Sequence, residues 1–355
     1  MSKDKGLSAS GMRLGCQALI SMGVFLLLTP EIKRMYRLFV LLFSSLLTLA
    51  AAARPRLARR INIRRNPDLE RGLTHSLVSR ISILASDFRL LSYLCATRFH
   101  PFALILEICI DNLASARAAA AGGADRLELT SALEAGGLTP GPGLLAAVQE
   151  SVDLPIMMMV RPRSGDFCYD ADEIRMMERE IRWARDQGVA GVVFGALKPD
   201  GTIDEAATRH LIEVARPLQV TFHRAFDVCR NPRKSLDVLM ALGVERVLTS
   251  GQSVSAGQGI PMLRDLVKQA GDALIILAGS GVNTRNIHHI VRETGVRECH
   301  GSASELVPSP MRFQRPGVSM GAVDGGGKFR RQTDPEVVRA LKQAMLEAGA
   351  GDPIH

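Results

Sequence analysis

The sequence predicts a (β/α)₈ barrel of the TIM-barrel type over residues 101–355, and three observations predict it. Strand and helix patterns alternate eight times after residue 103. Short loops punctuated by Gly, Pro and Asn separate them, as α/β units require. The 255 residues of this region also match the roughly 250 residues that such a barrel needs. An open doubly wound sheet is the alternative, weakened because no G-x-G-x-x-G follows the first strand.

The eight predicted strands are short, apolar runs that end in polar residues. Between them lie helical patterns such as 170–187, with Ile174, Met177, Ile181 and Ala184 at helical spacing. Glycines follow the predicted helix ends, and Pro or Asn marks several helix starts. The predicted strands are Leu104–Ile110, Arg126–Thr130, Pro155–Arg161, Gly191–Leu197, Gln219–His223, Arg246–Ser250, Leu274–Ala278 and Glu298–Ser302.

Residues 1–100 form a separate, basic N-terminal leader in this interpretation. They hold 16 Lys and Arg against 5 Asp and Glu, whereas residues 101–355 hold 28 against 31. The basicity of the chain therefore belongs to the leader, and the main domain is not predicted to bind nucleic acid. An uncharged run at 38–53 follows basic residues and resembles a secretory signal, while the Arg-rich 54–65 resembles a mitochondrial presequence. An unstructured extension is the third alternative. The barrel itself is not predicted to contact a membrane.

The six cysteines indicate a reduced, intracellular protein. They are widely spaced and form no C-x-x-C motif, so neither a disulfide framework nor a structural zinc site is predicted. They are Cys16, Cys95, Cys109, Cys168, Cys229 and Cys299.

Charged and polar side chains are predicted to line the barrel lumen. Because alternate strand residues share a face, Glu107, Cys109 and Asp111 point inward from the first strand. The same alternation brings candidate catalytic residues from five strands to one mouth, where parallel barrels carry their sites. A charge-satisfied structural network is the alternative. The candidates are Glu107, Glu128, Arg161, His223 and His300.

The segment F-H-R-A-F-D at 222–227 adds a sixth candidate, Asp227. It places an imidazole, a guanidinium and a carboxylate where the fifth strand gives way to a loop. Burying such charges for packing alone is costly, which favours a site. An internal ion pair that orders the loop is the alternative interpretation.

Several ordered motifs resemble the CutC family of copper homeostasis protein homologues. They include E-I-C-I-D at 107–111, G-G-A-D-R-L-E-L at 122–129 and R-P-R-x-G-D-F at 161–167. T-F-H-R-A-F-D at 221–227, E-R-V-L-T-S-G at 245–251 and H-G-S-A at 300–303 continue the resemblance. It covers about the last 250 residues and none of the leader.

The resemblance implies a TIM barrel, a cytoplasmic location (in animals also nuclear), self-association into a homo-oligomer and a role in Cu(I) handling. Cys109 matches the first-strand cysteine of the family and is the candidate metal ligand. The family often has a second cysteine where this chain has Thr130, and a hydroxyl is a poor Cu(I) ligand. Met157 and Met159 could supplement Cys109, although strand methionines usually fill cores.

A different class of function, an enzyme for a small anionic substrate, is the alternative. Gly- and Ser-rich loops after strands seven and eight are typical phosphate positions in such barrels. They predict an anion nest at Gly279, Ser280, Gly281 and Ser302. Arg161 would then clamp the anion, with Glu107 or Glu128 as base and His223 as acid or base.

The segment from Glu305 to Thr333 is predicted to be a long loop on the rim, a lid or subunit contact, with disorder through Gly325–Gly327. A final helix is predicted over Asp334–Ala348.

Overall fold

The computed structural model describes residues 104–313, 315, 318 and 328–349, and here the chain is a closed eight-stranded barrel. Every neighbouring pair of barrel strands is parallel, and β1 pairs with both β2 and β8 to close the sheet. This confirms the predicted fold. The leader, with its apolar and Arg-rich runs, lies outside the described residues. The barrel strands are β1 (Ile105–Ile110), β2 (Arg126–Leu129), β3 (Ile156–Met159), β4 (Gly191–Phe194), β5 (Gln219–Phe222), β6 (Arg246–Thr249), β7 (Ile275–Ala278) and β8 (Glu298–Gly301).

Seven helices follow the first seven strands, and an eighth follows the last. The start of α3 shows how local sequence sets a boundary: the Asp170 carboxylate accepts from the amides of Asp172 and Glu173, and Glu173 caps in return. The helices are α1 (Leu113–Gly122), α2 (Pro142–Ser151), α3 (Ala171–Asp186), α4 (Glu205–Ala215), α5 (Pro232–Leu242), α6 (Ile260–Ala270), α7 (Ile287–Thr294) and α8 (Pro335–Gly349).

The larger apolar core lies between the strands and the helices, and a smaller buried cluster of Met157, Met159, Ala190 and Val193 packs on the inner side of β3 and β4. Outward residues such as Leu106, Ile108 and Leu127 are fully buried against inward-facing helix residues such as Met177 and Ile181. Burial of apolar surface at roughly 25 cal/mol per Å² makes this layer the main source of stability. The rest of the lumen carries polar and charged side chains such as Glu107, Glu128 and Arg126.

The segment after β8 differs from the predicted loop at both ends. Ser304–Pro308 (β9) and Phe329–Thr333 (β10) form an antiparallel pair in which Ser304 is aligned with Thr333 and Pro308 with Phe329. The predicted disorder at Gly325–Gly327 lies outside the described residues. Over the part of the chain that the structure describes, no helix is long and apolar enough to cross a membrane.

Candidate functional site

A buried network of opposite charges crosses the lumen of the barrel. The Arg126 guanidinium donates to Glu107 Oε2 and to Glu298 Oε2, each at 2.5 Å. Arg246 donates to the same Glu298 oxygen at 2.7 Å and to Gln219 at 3.0 Å. All four charged side chains are at most 5% exposed. The predicted charge-satisfied network therefore exists, beneath the candidate site.

Sequence reasoning passed over Arg126 and Arg246 as candidates. The signal was available, because Arg126 precedes Glu128 by two residues on β2 and must share its face. Arg246 is likewise the first residue of β6, aligned with Thr221 of β5. These arginines balance the carboxylates and so permit ionised groups inside the barrel.

Cys109, Glu128 and His300 meet on the arc formed by β8, β1 and β2. One ligand atom from each lies within 4.8 Å of the others, and we call this group the lumen triad. His300 Nδ1 lies 2.8 Å from Glu107 Oε1, and its Nε2 lies 3.8 Å from Glu128 Oε2. The other Glu128 oxygen, Oε1, is buried with no hydrogen-bond partner among the described residues.

The surroundings of the lumen triad favour the protonated form of each of its three side chains. Burial, and next the Glu128 carboxylate beside it, raise the pKa of the Cys109 thiol well above 9.0. Burial also raises the pKa of Glu128 above 4.5, against the opposing effect of His300. Burial works against the charged form of His300, but Glu128 and Glu107 prevail and raise its pKa above 6.5. The pKa values of all three groups are thus raised in a space from which water is largely excluded.

Glu107 differs from Glu128 because it has strong partners. Burial by itself would raise the pKa of Glu107, yet the Arg126 guanidinium and His300 bring it well below 4.5. Glu107 is therefore an ionised anchor for His300 rather than a base. In metal sites, such a carboxylate fixes the tautomer of a ligating histidine.

Arg161 and His223 occupy the neighbouring arc, at the ends of β3 and β5. Arg161 donates through Nη1 to the carbonyls of Ala135 and Gly137, and through Nη2 to that of Gly165. His223 Nδ1 accepts from the Ala225 amide at 3.3 Å, so its Nε2 carries the hydrogen. Burial, and next the charge of Arg161, lower the pKa of His223 to about 3. A neutral imidazole of this kind is a hydrogen-bond donor, and a poor base at neutral pH.

Thr130 and the candidate Asp227 are each held by several hydrogen bonds. The Thr130 hydroxyl lies within hydrogen-bond distance of two carbonyl oxygens, that of Leu138 at 2.9 Å and that of Ser131 at 3.0 Å. Its single hydrogen is donated to one or the other. Asp227 accepts from Thr249, from the amides of Ser250 and Gln252, and from Arg224. Asp227 therefore orders the loop after β6, and among the described residues it makes no hydrogen bond or ion pair with the lumen triad.

The proposed nest residues lie on two adjacent loops. Ser280 and Gly281 both have left-handed backbone, with φ of 76° and 67°. Gly279 donates its amide to the Thr249 carbonyl, and Ser302 shares a hydroxyl contact with Ser304 at 3.0 Å. The loops make tight turns, and their anion-binding role stays a prediction.

Comparisons with known proteins place the barrel in a family. Residues 104–305 match the model of the CutC family. A CutC family protein of Mesorhizobium japonicum is 47% identical over 237 residues, covering 66% of this chain and 92% of that protein. A human copper homeostasis protein cutC homolog is 43% identical over 238 residues, covering 67% of this chain and 87% of that protein. The crystal structure of a Streptococcus agalactiae CutC is 34% identical with a TM-score of 0.54, covering 56% of this chain and 98% of that one.

Proposed function

Since the chain belongs to the CutC family of copper homeostasis proteins, we propose that it binds Cu(I) inside its barrel at the lumen triad. The observation that supports this most is the meeting of three metal-ligand side chains within 4.8 Å. Cys109 Sγ would be the principal ligand, because Cu(I) is soft and prefers sulfur. His300 Nε2 and a Glu128 oxygen would complete the set.

The donor chemistry fits a copper ion in two respects. Imidazole suits copper, and the Nδ1 contact with Glu107 leaves Nε2 of His300 available. The unpartnered Glu128 Oε1 offers a further oxygen. Sulfur is supplied by a single cysteine, and carboxylate oxygen is a harder ligand than Cu(I) prefers. The expected affinity is therefore below that of a paired-thiolate site.

Ion capture at this site must release protons. The thiol of Cys109 is protonated at neutral pH, since its pKa is raised well above 9.0 by burial and by Glu128. A thiolate is required for ligation, so a proton leaves when the ion enters. Among the lumen groups, Glu128 stands next to the thiol and is placed to pass that proton outward.

The cysteine chemistry also supports a reducing compartment. The four cysteines within the described residues are free, and Cys109, Cys229 and Cys299 are buried. We propose a cytoplasmic location, as the family resemblance implies, and self-association into a homo-oligomer. Size-exclusion chromatography with light scattering tests the oligomer: a monomeric mass at micromolar concentration would contradict it.

An anaerobic competition titration with a chromophoric Cu(I) chelator tests the copper site. The full chain, Cys109→Ser, His300→Gln and Cys299→Ser would be compared. Cys299 is a matched control, because it lies on β8 beside His300 but is packed in the apolar layer between strands and helices. We expect one ion per chain, at least tenfold weaker binding in Cys109→Ser and His300→Gln, and unchanged binding in Cys299→Ser. Full binding by Cys109→Ser would refute the site.

A further inference from the structure

Arg161 is a buried cation whose partners are all uncharged. Its side chain donates to backbone carbonyls, and the residue is 5% exposed. Within residues 104–313, 315, 318 and 328–349, its guanidinium contacts carbonyl oxygens and the Phe167 ring, and no carboxylate forms an ion pair with it. Burying a guanidinium without an opposite charge is unfavourable, so an anion bound beside it would gain from its charge. By contrast, Arg126 and Arg246 deeper in the lumen both have carboxylate partners.

Unpartnered hydrogen-bonding groups surround this cation. The Nε of Arg161 and the Nε2 of His223 are both buried without a partner among the described residues. As the Nδ1 of His223 is an acceptor, both orphan nitrogens are N–H donors. The hydroxyl of Tyr169 lies close enough to Arg161 for the guanidinium to oppose the rise of its pKa on burial, but it makes no hydrogen bond of good geometry among the described residues. Buried donors left unsatisfied cost free energy, and native proteins seldom keep two together without a ligand that accepts from them.

The two donors are held by the same aromatic ring. Phe167 lies under the Arg161 guanidinium at 4.9 Å and meets the His223 ring edge-on, also at 4.9 Å between centroids. The loop that carries Phe167 is fixed to β4 by the Leu197 amide, which donates to the Phe167 carbonyl at 2.9 Å. The two nitrogens are therefore preorganised by packing before any ligand arrives.

Gly195, the residue after β4, leaves space for the His223 imidazole. A Cβ atom at Gly195, which follows β4, would stand 2.6 Å from His223 Nδ1. No larger residue fits there unless the ring moves. Arg161, Gly195 and His223 thus follow three consecutive strands, β3, β4 and β5, at the carboxyl ends where barrels of this type carry their sites.

We propose that Arg161 and His223 form a binding site for the oxyanion group, carboxylate or phosphate, of a small organic ligand. We call these two residues and the Phe167 ring the oxyanion pocket. Arg161 supplies the charge and one N–H, and neutral His223 supplies a second N–H. This site is separate from the lumen triad, which lies on β8, β1 and β2, and does not depend on copper. The ligand class, a small anion, is the same as in the enzyme alternative. The anion would bind at the ends of β3 and β5 rather than on the Gly- and Ser-rich loops.

Anion titrations of the copper-free full chain test this proposal. Inorganic phosphate and acetate would be added against chloride at equal ionic strength, with the melting temperature as readout. We expect a saturable rise with at least one oxyanion, and the larger response identifies phosphate or carboxylate as the preferred group. The rise should disappear in Arg161→Gln and His223→Gln and persist in Cys109→Ser. Arg182→Gln is the charge control, because Arg182 lies exposed on α3 and pairs with Glu178.

A spectroscopic readout on the unmutated chain covers the case in which the variants fail to fold. With ¹⁵N-labelled histidine, the Nε2–H signal of His223 should move on addition of the preferred anion. That ring is recognisable because it stays neutral at pH 5, where exposed histidines are protonated. A His223 signal unmoved by both anions, or an equal melting shift with chloride, would overturn the proposal. If Cys109→Ser loses copper binding but keeps the anion response, the result supports an oxyanion pocket that is independent of copper.

Discussion

His300 Nδ1 lies 2.8 Å from Glu107 Oε1, although the two residues are 193 positions apart in the chain. The contact joins the first and last strands of the barrel where Glu107 is aligned with His300 in the closing β1–β8 pair. It turns the second ring nitrogen toward Cys109 and Glu128. The Glu107 carboxylate thus has two contacts. One oxygen pairs with Arg126 in the charge network, and the other fixes the orientation of the His300 ring.

Glu107→Gln should weaken copper binding while every ligand of the lumen triad remains. An amide cannot hold the imidazole as a carboxylate does, and loss of such a partner typically costs 10–100-fold in metal affinity. The substitution also removes one of the carboxylates that face Arg126, at an expected cost of about 3–5 kcal/mol in unfolding free energy. The competition titration and urea unfolding measure the two effects. Unchanged copper affinity would show that Glu107 has no part in orienting His300.

Because His223 is buried as a neutral imidazole, the free energy of unfolding of the barrel should fall in mild acid. Its pKa is lowered from 6.5 to about 3, mainly by burial. The unfolded chain therefore binds a proton that the folded chain does not, and stability falls as the pH drops from about 6.5 towards 3. Between pH 6.5 and pH 5 the loss is about 2 kcal/mol for this group. His223→Gln should show a correspondingly flatter pH dependence of urea unfolding, and an identical slope would contradict the buried neutral imidazole.

Gly195→Ala should destabilise the protein by about 1–3 kcal/mol and displace the His223 ring. The added Cβ would come within 2.6 Å of His223 Nδ1 and 3.0 Å of Phe222. Gly143→Ala is the control, because that glycine lies in α2 with open space around it. The control should be neutral or stabilise by about 0.4–1 kcal/mol. Thermal unfolding of the two variants measures the difference, and equal melting temperatures would argue against a close fit at Gly195.

Glu298 should govern the acid limit of stability. Burial alone would raise its pKa, but Arg126 and Arg246 lower it below 4.5. A lowered carboxyl pKa stabilises the fold above pH 4.5, and this contribution is lost as the pH falls through that value toward the folded-state pKa. Glu298→Gln should be several kcal/mol less stable at pH 7 and lose less on acidification below pH 4.5. Acid titrations followed by circular dichroism distinguish this effect from that of His223, which begins near pH 6.5.

The strands and the face of each lumen residue could be predicted from the sequence because period-two alternation is a local property. Cys109, Glu128 and His300 point inward as that alternation requires, and all eight predicted strands coincide with observed ones to within a few residues. Strand ends were predicted too long by one to three residues. Ladder pairing stops earlier than the apolar runs do, as at Val160 and Arg161 after β3.

The grouping of the candidates could not be predicted, because it depends on barrel closure and register. The sequence predicted five residues converging at one mouth, whereas the structure places three of them on the β8–β1–β2 arc and two at the ends of β3 and β5; the three are Glu107, Glu128 and His300, and the two are Arg161 and His223. The lowered pKa of His223 could not be predicted either, since its burial against Phe167 and Arg161 is a tertiary effect. The pairing of β9 with β10 joins residues far apart in sequence and was equally inaccessible.

Copper K-edge X-ray absorption of the full chain, loaded anaerobically with one Cu(I) per chain, tests the central claim most directly. The lumen triad predicts a single sulfur scatterer from Cys109 together with nitrogen or oxygen scatterers, including the imidazole signature of His300. That signature should vanish in His300→Gln while the sulfur remains. Coordination by two or more sulfurs, or by none, would contradict the site.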